Sequence, residues 1–370
     1  MKDSLRYQVA LNMLPGIGSV IAKQLVSYCG SVEAIFSSTN GKLEKIPGIG
    51  PKTISLIKKS DLLEAADKEI EKCAKNDVRI IFYTDKDYPY KLKQTIDGPL
   101  ILYTKGKGEI NPSRAIAIVG TRQATEYGRS VTEQLVNDLR SYGAAIVSGL
   151  AYGIDITAHK AAVEAGIPTH AVLGSGVDVI YPALHRETAE KLQANGALIS
   201  EFPLGTKPEA YNFPARNRII AGMSDAVVVI EAAEKGGALI TADIANSYNR
   251  EVFALPGNLD HRFSVGCNKL IQQQKAIIFT NVENLVKELN WDIKEGGQVR
   301  TLDQSLESFS EDERMIINLL TEEKSGLQID KLAWKSQLTV NQLAGVLLSL
   351  EFSGVIKSLP GKKYQLRSRF

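Results

Sequence analysis

Residues 211–218 bring an aromatic ring and two guanidinium groups close together in the sequence. Phe213 is followed by Arg216 and Arg218. Aromatic rings stack on the bases of a single strand, and guanidinium groups make charge-assisted hydrogen bonds to its phosphates. The segment therefore predicts contact with single-stranded nucleic acid. If Pro214 opens a helix, Arg216 and Arg218 diverge by about 200° around its axis, so we expect only one of them to face the ligand.

A second set of small and polar residues follows short apolar segments that we predict to be buried strands. Small side chains let a ligand approach the backbone closely, and helices that start there offer free N–H groups and a positive dipole end to an anion. We therefore expect a phosphate group as the ligand. The candidate positions of this edge, with Asn217 from the aromatic segment, are Gly120, Thr121, Arg122, Ser148, Gly149, Gly174, Gly176, Asn217, Gly237 and Thr241.

Standard fingerprints of nucleotide-dependent enzymes are missing from these segments. The dinucleotide spacing G-x-G-x-x-G does not occur, because Val179 stands where Gly174 and Gly176 require the third glycine. There is no Walker A sequence and no G-x-S-x-G nucleophile sequence, and the four histidines stand singly. The sequence argues against NAD, against ATP hydrolysis and against a metal centre. We expect no cofactor and no catalysis.

The elements that position these residues alternate between apolar and helical segments from Ala115 to about Leu289. Val, Ile, Leu and Ala occupy both the odd and the even positions of the apolar segments, as in strands that are buried on both faces of a sheet. The alternation predicts a parallel sheet with crossover helices, which is an α/β Rossmann-like core whose ligands bind at the carboxyl ends of the strands. Strands are predicted at 115–119, 144–147, 169–173, 197–199, 226–230, 251–254 and 276–279, and helices at 128–142, 154–165, 186–194 and 238–248.

A Pro-Gly-Ile-Gly sequence occurs twice before the core, at 15–18 and at 47–50. This duplication predicts helix-hairpin-helix units, whose glycines allow a tight turn and leave amides free to meet a phosphate. Few basic residues surround the first copy, so a module that serves only packing is the alternative. Short apolar segments at 79–83 and 100–103 then predict a connector that contains strands.

Apolar residues at helical spacing between 315 and 350 predict three helices after the core. Two short strands around Pro360 and Gly361 follow, and the combination predicts a winged helix-turn-helix. Basic residues favour contact of this wing with a phosphate backbone, whereas the acids of the first helix favour a protein-binding winged helix, and both interpretations stay open. The basic residues are Lys357, Lys362, Lys363, Arg367 and Arg369.

We therefore divide the 370 residues into a helical helix-hairpin-helix domain at 1–64, a connector at 65–110, the core at 111–291, a linker at 292–310 and a winged-helix domain at 311–370. The composition, with 44% hydrophobic and 23% charged residues, is typical of soluble globular proteins and predicts no membrane span. A net charge of +2 neither requires nor excludes a nucleic-acid partner. Three scattered cysteines and an N-terminus without a secretory signal lead us to expect a cytoplasmic protein with reduced thiols.

Motifs of the core closely resemble those of the DNA processing protein A family (DprA, also called Smf). They lie at 118–122, 148–159, 213–222, 236–242 and 256–258, and Tyr88-Pro89 and Asp97-Gly98-Pro99 resemble the connector of the family. The chain departs from the family at His185. The family commonly has an Asn at this position, three residues after the Tyr181-Pro182 pair. The resemblance therefore does not predict the local contacts of that loop.

The resemblance implies a protein of natural transformation and recombination that binds incoming single-stranded DNA as a homodimer, protects it and loads the RecA recombinase, with single-strand-binding protein as a further candidate partner. Carried over by motif, Arg122 holds a phosphate, Phe213 contacts a base, and the small residues line the pocket.

An enzyme remains the alternative, because nucleoside-monophosphate phosphoribohydrolases have a similar core. Their P-G-G-x-G-T-x-x-E signature is not matched here, since the segment from Lys235 to Thr241 lacks the last glycine and the following glutamate. A transcription factor that reads duplex DNA through the winged helix would leave the predicted pocket of the core without a role. We therefore expect binding of single-stranded DNA rather than either of these functions.

Overall fold

The computed structural model describes residues 2–58, 61–291, 309–323, 326–353, 355–359 and 363–366. The chain divides into two compact units, Met1–Asp292 and Ile293–Phe370. Most of the linker predicted at 292–310 lies outside the described residues, which resume at Phe309. Among the described residues, no helix combines the length and the apolar character needed to cross a membrane.

Six helices begin the first unit, and the two Pro-Gly-Ile-Gly sequences lie between them. Gly16 and Gly48 have φ angles of 77° and 82°, in the left-handed region that favours glycine. A new helix begins directly after Gly18 and after Gly50, so the predicted helix-hairpin-helix repeat is confirmed. The helices are α1 (Lys2–Asn12), α2 (Ser19–Cys29), α3 (Val32–Ser37), α4 (Asn40–Leu43), α5 (Pro51–Ile57) and α6 (Asp61–Lys75).

A sheet of nine strands, counted over the described residues, forms the centre of this unit. Its strands are β1 (Arg79–Phe82), β2 (Ile101–Lys105), β3 (Ala115–Val119), β4 (Ala145–Ser148), β5 (Thr169–Val172), β6 (Ala197–Ser200), β7 (Ala226–Val229), β8 (Glu251–Ala254) and β9 (Ile277–Ile278). The order is β1-β2-β6-β5-β4-β3-β7-β8-β9, and the strands from β3 to β9 are parallel. The predicted Rossmann-like core is confirmed. The connector strands β1 and β2 join this same sheet, where β2 pairs antiparallel with β6.

Helices cover both faces of the sheet, which explains why apolar residues occupy both the odd and the even positions of its strands. Ile116 and Ile118 of β3 pack against one layer, whereas Ala117 packs against the other. The first layer holds α8, α9 and α14, and the second holds α11 and α12. The bounds are α7 (Tyr90–Lys93), α8 (Glu126–Leu139), α9 (Ile154–Glu164), α10 (Arg186–Leu192), α11 (Asn212–Met223), α12 (Gly237–Ser247), α13 (Val265–Gln272) and α14 (Val282–Glu288), with short 3-10 turns at Arg140–Tyr142 and Ala183–His185.

The described residues of the second unit form three helices and a three-stranded sheet of order β10-β12-β11. Its elements are α15 (Glu311–Glu322), β10 (Leu327–Gln328), α16 (Ile329–Ser336), α17 (Val340–Phe352), β11 (Ile356–Leu359) and β12 (Lys363–Leu366). Ile316, Leu343 and Leu350 form the centre of a separate hydrophobic core. The predicted winged helix is confirmed. Its basic residues Lys362, Arg367 and Arg369 lie outside the described residues, as does the side chain of Lys357.

Candidate nucleic-acid interface

A cavity of about 500 Å³ opens at the carboxyl edge of the parallel sheet. The turns that follow β3 and β4 form part of its wall, and the first halves of α11 and α12 form the rest. Eight of the predicted site residues line it: Gly120, Thr121, Arg122, Phe213, Arg216, Asn217, Gly237 and Thr241. The structure therefore brings together residues that are more than 100 positions apart in the sequence.

An arginine and an aromatic ring face each other at the mouth of the cavity. The guanidinium carbon of Arg122 lies 5.8 Å from the centroid of the Phe213 ring, within the range of a cation–π contact. Arg122 is exposed and Phe213 is half-buried, so both remain accessible to a ligand. Gly174 provides the space for this ring, because a Cβ atom there would lie 2.9 Å from Cδ1 of Phe213. Gly174 thus supports the site without lining the cavity.

The N-terminus of α12 offers an open anion site in the same cavity. No side chain caps this helix, which begins at Gly237 after Gly236. Asn217 donates from Nδ2 to the Gly237 carbonyl at 3.2 Å, and Thr241 donates from Oγ1 to the same oxygen at 3.0 Å. The first amides of a helix have no carbonyl partner within it, so they can bind an anion. These contacts hold the turn in place and leave its N–H groups available for a phosphate.

Lys235 adds a positive charge beside this helix start, and the sequence analysis did not select it. Its side chain is exposed and lines the cavity together with Gly236. A basic residue directly before two glycines and a helix is the signal that could have identified it. Lys235 therefore adds to the positive potential at the start of α12.

Two other helices that start at this edge are already capped by protein groups. Thr125 accepts a hydrogen bond on Oγ1 from the Gly128 amide of α8 at 3.0 Å. The Glu231 carboxylate accepts from the Thr125 amide at 3.0 Å and from its hydroxyl at 2.5 Å, so an anion is already present at that helix start. At α9, the Ile154 amide donates to the Thr121 carbonyl at 3.2 Å. No side chain caps α9 either, but its Ile154 and Ile156 amides already donate to backbone carbonyl groups, so α12 has the most open start of these three described helices.

Arg216 forms the floor of the cavity and is bound to the protein itself. It is 5% exposed, and its Nη1 donates to the carbonyl oxygens of Gly149, at 2.6 Å, and of Val172. Burial lowers the pKa of Arg216 to about 10, although the nearby Asp155 opposes this shift. The guanidinium is therefore charged at neutral pH and connects the ends of β4 and β5. Gly149 leaves the necessary space, since a Cβ atom there would lie 2.5 Å from Nη1.

Arg218 points away from the cavity and pairs with Glu201. Its Nη2 lies 2.5 Å from Oε2 of Glu201, and both side chains are mostly buried. Burial raises the pKa of Glu201, and the charge of Arg218 opposes that increase. Of these two arginines, Arg216 lines the cavity and Arg218 does not, and both guanidinium groups have protein partners.

Ser148 and Gly176 also lie outside the residues that line the cavity. Ser148 is fully buried, and its Oγ donates to the Ile118 carbonyl at 2.6 Å, which ties β4 to β3. Gly176 belongs to a turn, where its amide donates to the Thr206 carbonyl at 3.0 Å. A Cβ atom there would lie 2.6 Å from Oδ1 of Asp178. These two residues support the edge of the sheet.

His185 fills the position at which the chain departs from the related motif. Its Nδ1 lies 2.7 Å from the Leu150 carbonyl, and its buried ring meets the exposed ring of Tyr152 edge-on at 4.9 Å. The histidine thus fixes the turn after β4. Among the described residues, no group of three or more His, Cys, Asp or Glu side chains is arranged to hold a metal ion.

Comparisons with known proteins identify all three parts of the chain. The family model described as DNA recombination-mediator protein A matches residues 79–290. Models of a DprA winged helix domain and of a SAM-like helix-hairpin-helix tandem match residues 300–362 and 9–60. Protein Smf of Synechocystis is 33% identical over 98% of this chain and 98% of its own length. DNA processing protein DprA of Bacillus subtilis is 41% identical over 57% of this chain and 71% of its own length.

Solved structures of similar proteins agree with this result. DNA processing protein A of Streptococcus pneumoniae superimposes with a TM-score of 0.67 at 30% identity, over 76% of this chain and 97% of that chain. The protein of the same name from Helicobacter pylori, described by its single-stranded DNA binding mode, gives a TM-score of 0.52 at 29% identity. That comparison covers 58% of this chain and 95% of the other.

Proposed function

Because the chain belongs to the DNA recombination-mediator protein A family, we propose that the cavity at the carboxyl edge of its sheet binds single-stranded DNA. The observation that carries this proposal is the combination of an accessible arginine–phenylalanine pair with an uncapped helix start. Phe213 stacks on a base, Arg122 pairs with a phosphate, and the first amides of α12 with Lys235 hold a second phosphate. The relative from Helicobacter pylori, which binds single-stranded DNA, supports this assignment.

The aromatic contact favours a single strand over a duplex. In a duplex both faces of each base are stacked on neighbouring bases, so Phe213 has no free face to contact. In a single strand the bases can separate and stack on a protein ring without any loss of base pairs. The phosphate contacts add affinity for either form and carry no sequence information.

Equilibrium binding of labelled DNA tests this proposal. An oligothymidylate of about 20 nucleotides and a duplex of the same length are titrated with the protein, and the anisotropy is followed. We expect tighter binding of the single strand, and an affinity that falls as salt rises from about 50 to about 200 mM because phosphate contacts release counterions. Equal affinity for both forms would overturn the proposal.

We further propose that the protein acts in the cytoplasm as a homodimer during natural transformation and recombination, where it protects incoming DNA and loads RecA. The resemblance of its motifs to the family supports this role. Sedimentation of the protein with and without oligonucleotide tests the dimer. The rate of RecA filament formation on DNA coated with single-strand-binding protein tests the loading step, and a rate that the protein leaves unchanged would contradict it.

Binding without catalysis is part of the same proposal. A phosphoribohydrolase with this type of core would release a free base from AMP or CMP. Incubation of the protein with each nucleotide, followed by chromatography, is expected to show unchanged substrate. Release of adenine or cytosine that disappears with a variant of the cavity would assign an enzymatic function instead.

A further inference from the structure

Exposed aromatic rings continue outward from the cavity beside Phe213. The ring of Tyr181 lies 5.8 Å from that of Phe213, centroid to centroid, at an angle of 37° between planes. Tyr181 is 48% exposed and Tyr152 is 44% exposed, although neither ring is needed to cover a core. Phe213 and Tyr181 therefore form adjacent surfaces on which bases can stack.

A second cavity adjoins the first and shares Arg122 with it. It has a volume of about 520 Å³ and lies between α8, α9 and the 3-10 turn Ala183–His185. Arg129 of α8 and Lys160 of α9 line it, and Tyr152 forms another wall. Arg122 is therefore a lining residue common to both cavities, and a ligand that contacts it lies beside each of them.

The ring of Tyr152 is held in a defined orientation. It meets the buried ring of His185 edge-on, and His185 is fixed by its contact with the Leu150 carbonyl. A ring that is already oriented loses little conformational entropy when a base stacks on it. The ring of Tyr152 is thus preorganised for stacking, although it is exposed.

Basic and acidic residues occupy different positions in the second cavity. Arg122, Arg129 and Lys160 are exposed. Arg129 lies in the first turn of α8, whereas Lys160 lies in the second half of α9. The acidic residues Glu133 and Glu164 of the same cavity lie one helical turn further along α8 and α9. In each helix the basic residue therefore lies one helical turn closer to the carboxyl edge of the sheet than the acidic residue does.

We propose that a strand held in the first cavity continues past Arg122 over an exit track formed by Tyr152, Tyr181, Arg129 and Lys160. The bases that follow the one on Phe213 stack on Tyr181 and Tyr152, and their phosphates pair with Arg129 and Lys160. This inference rests on the proposed function, because it extends the same strand. It makes the affinity depend on the length of the strand, since a short strand fills the first cavity and only a longer one reaches the track.

Affinities of the wild type and of Tyr152→Ala/Tyr181→Ala for oligothymidylates of about 4 and about 16 nucleotides test the exit track. We expect the wild type to bind the longer strand more tightly. The double variant should bind the longer strand about 10-fold or more weakly, because each stacked ring contributes that order of affinity, and the shorter strand within about twofold of the wild type. Tyr28→Ala/Tyr90→Ala is the matched control, since both rings are exposed and line neither cavity.

The outcomes separate this inference from the proposed function. A wild type that binds neither strand contradicts the proposed function itself. A wild type that binds both strands, with a double variant that keeps the full gain from length, overturns the exit track alone. An equal loss for both strands also overturns it, because the rings would then act within the first cavity. Unchanged melting temperatures verify that the variants are folded.

The salt dependence of binding gives a second, independent readout. For the longer strand, Arg129→Ala/Lys160→Ala should reduce the slope of log affinity against log salt by about 1.4, which corresponds to two lost phosphate contacts on a single strand. The slope for the shorter strand should stay the same. An unchanged slope for the longer strand would remove both residues from the path of the DNA.

Discussion

Arg122 and Arg216 show how two arginines of one cavity take opposite roles. Arg122 is exposed beside Phe213, and its guanidinium can reach a ligand. Arg216 is buried, and its hydrogen bonds go to carbonyl oxygens at the ends of two strands. A substitution of the first should therefore affect DNA binding, whereas a substitution of the second should affect folding.

Arg122→Glu should weaken the binding of single-stranded DNA by about 10-fold or more, because it replaces a charge-assisted phosphate contact by repulsion. Titration of labelled oligothymidylate measures the loss, and the melting temperature should stay within about 1 °C. Arg140→Glu is the control, since this exposed arginine follows the far end of α8. Unchanged affinity of the Arg122 variant would remove Arg122 from the site.

Arg216→Gln should destabilise the fold. The change leaves the carbonyl oxygens of Gly149 and Val172 without their donor and removes the cation near Asp155. Removal of one partner from a buried charged group costs about 3 to 5 kcal/mol, so we expect the melting temperature to fall by roughly 10 °C. Calorimetry in the absence of DNA measures this effect, with Arg122→Gln as the comparison. An unchanged melting temperature would contradict the assigned role of Arg216.

At the scale of elements, the turn after β5 determines where the Phe213 ring of α11 can lie. Gly174→Ala should push this ring out of position, because the added Cβ would lie 2.9 Å from Cδ1. We expect the affinity for single-stranded DNA to fall about threefold to tenfold, as when a stacking contact is weakened. The double variant Gly174→Ala/Phe213→Ala tests the mechanism. It should bind as Phe213→Ala does, and an additional loss would show that Gly174 acts by another route.

Two buried histidines at the contact of α9 with β5 should make the fold sensitive to acid. Burial lowers the pKa of His159 to about 3, with a further decrease from His170, and lowers that of His170 to about 4. Both values lie below that of a histidine in an unfolded chain, about 6.5, so the unfolded state binds protons first as the pH falls. Stability should be complete above about pH 6.5 and decrease towards pH 4.

Urea unfolding between about pH 7.5 and about pH 5.5 measures this dependence, because carboxylates with ordinary pKa values change little in that range. The comparison with His170→Gln separates the effect of the histidine from that of buried carboxylates such as Glu201, whose pKa is raised by burial. The free energy of unfolding should decrease with pH in the wild type and in His261→Gln, whose histidine is exposed. The decrease should be smaller in His170→Gln if that variant folds. A free energy that stays constant or rises as the pH falls would contradict the assignment of the buried neutral histidines.

At the scale of the whole molecule, the sequence predicted the parts whose signals are local. Buried parallel strands appear in the sequence as continuous apolar segments. Their predicted ends differ from the observed ends by one or two residues, as for β4. That β2 pairs with β6 in the main sheet was not predictable, because such pairing depends on contacts between distant segments.

The same limit applies to the candidate site. The residues at the strand ends and Phe213 were found from their types and spacing, and most of them line the cavity. The roles of Arg216 and Arg218 could not be assigned from the sequence, because their partners are distant in it. Arg216 binds the carbonyl oxygens of Gly149 and Val172. Arg218 pairs with Glu201. Tyr181 and Lys235 carried signals that only the folded arrangement makes specific.

Hydrogen–deuterium exchange with and without oligothymidylate tests the central claim most directly, because it reports where along the chain the strand binds. We predict slower exchange in peptides that contain residues 120–122 and the first turn of α12, at Gly237 and Ala238, when DNA is added. Arg122→Glu should abolish this protection at the same DNA concentration. Binding that leaves these amides unchanged and protects residues 309–366 instead would contradict the proposed site and assign the DNA to the winged helix.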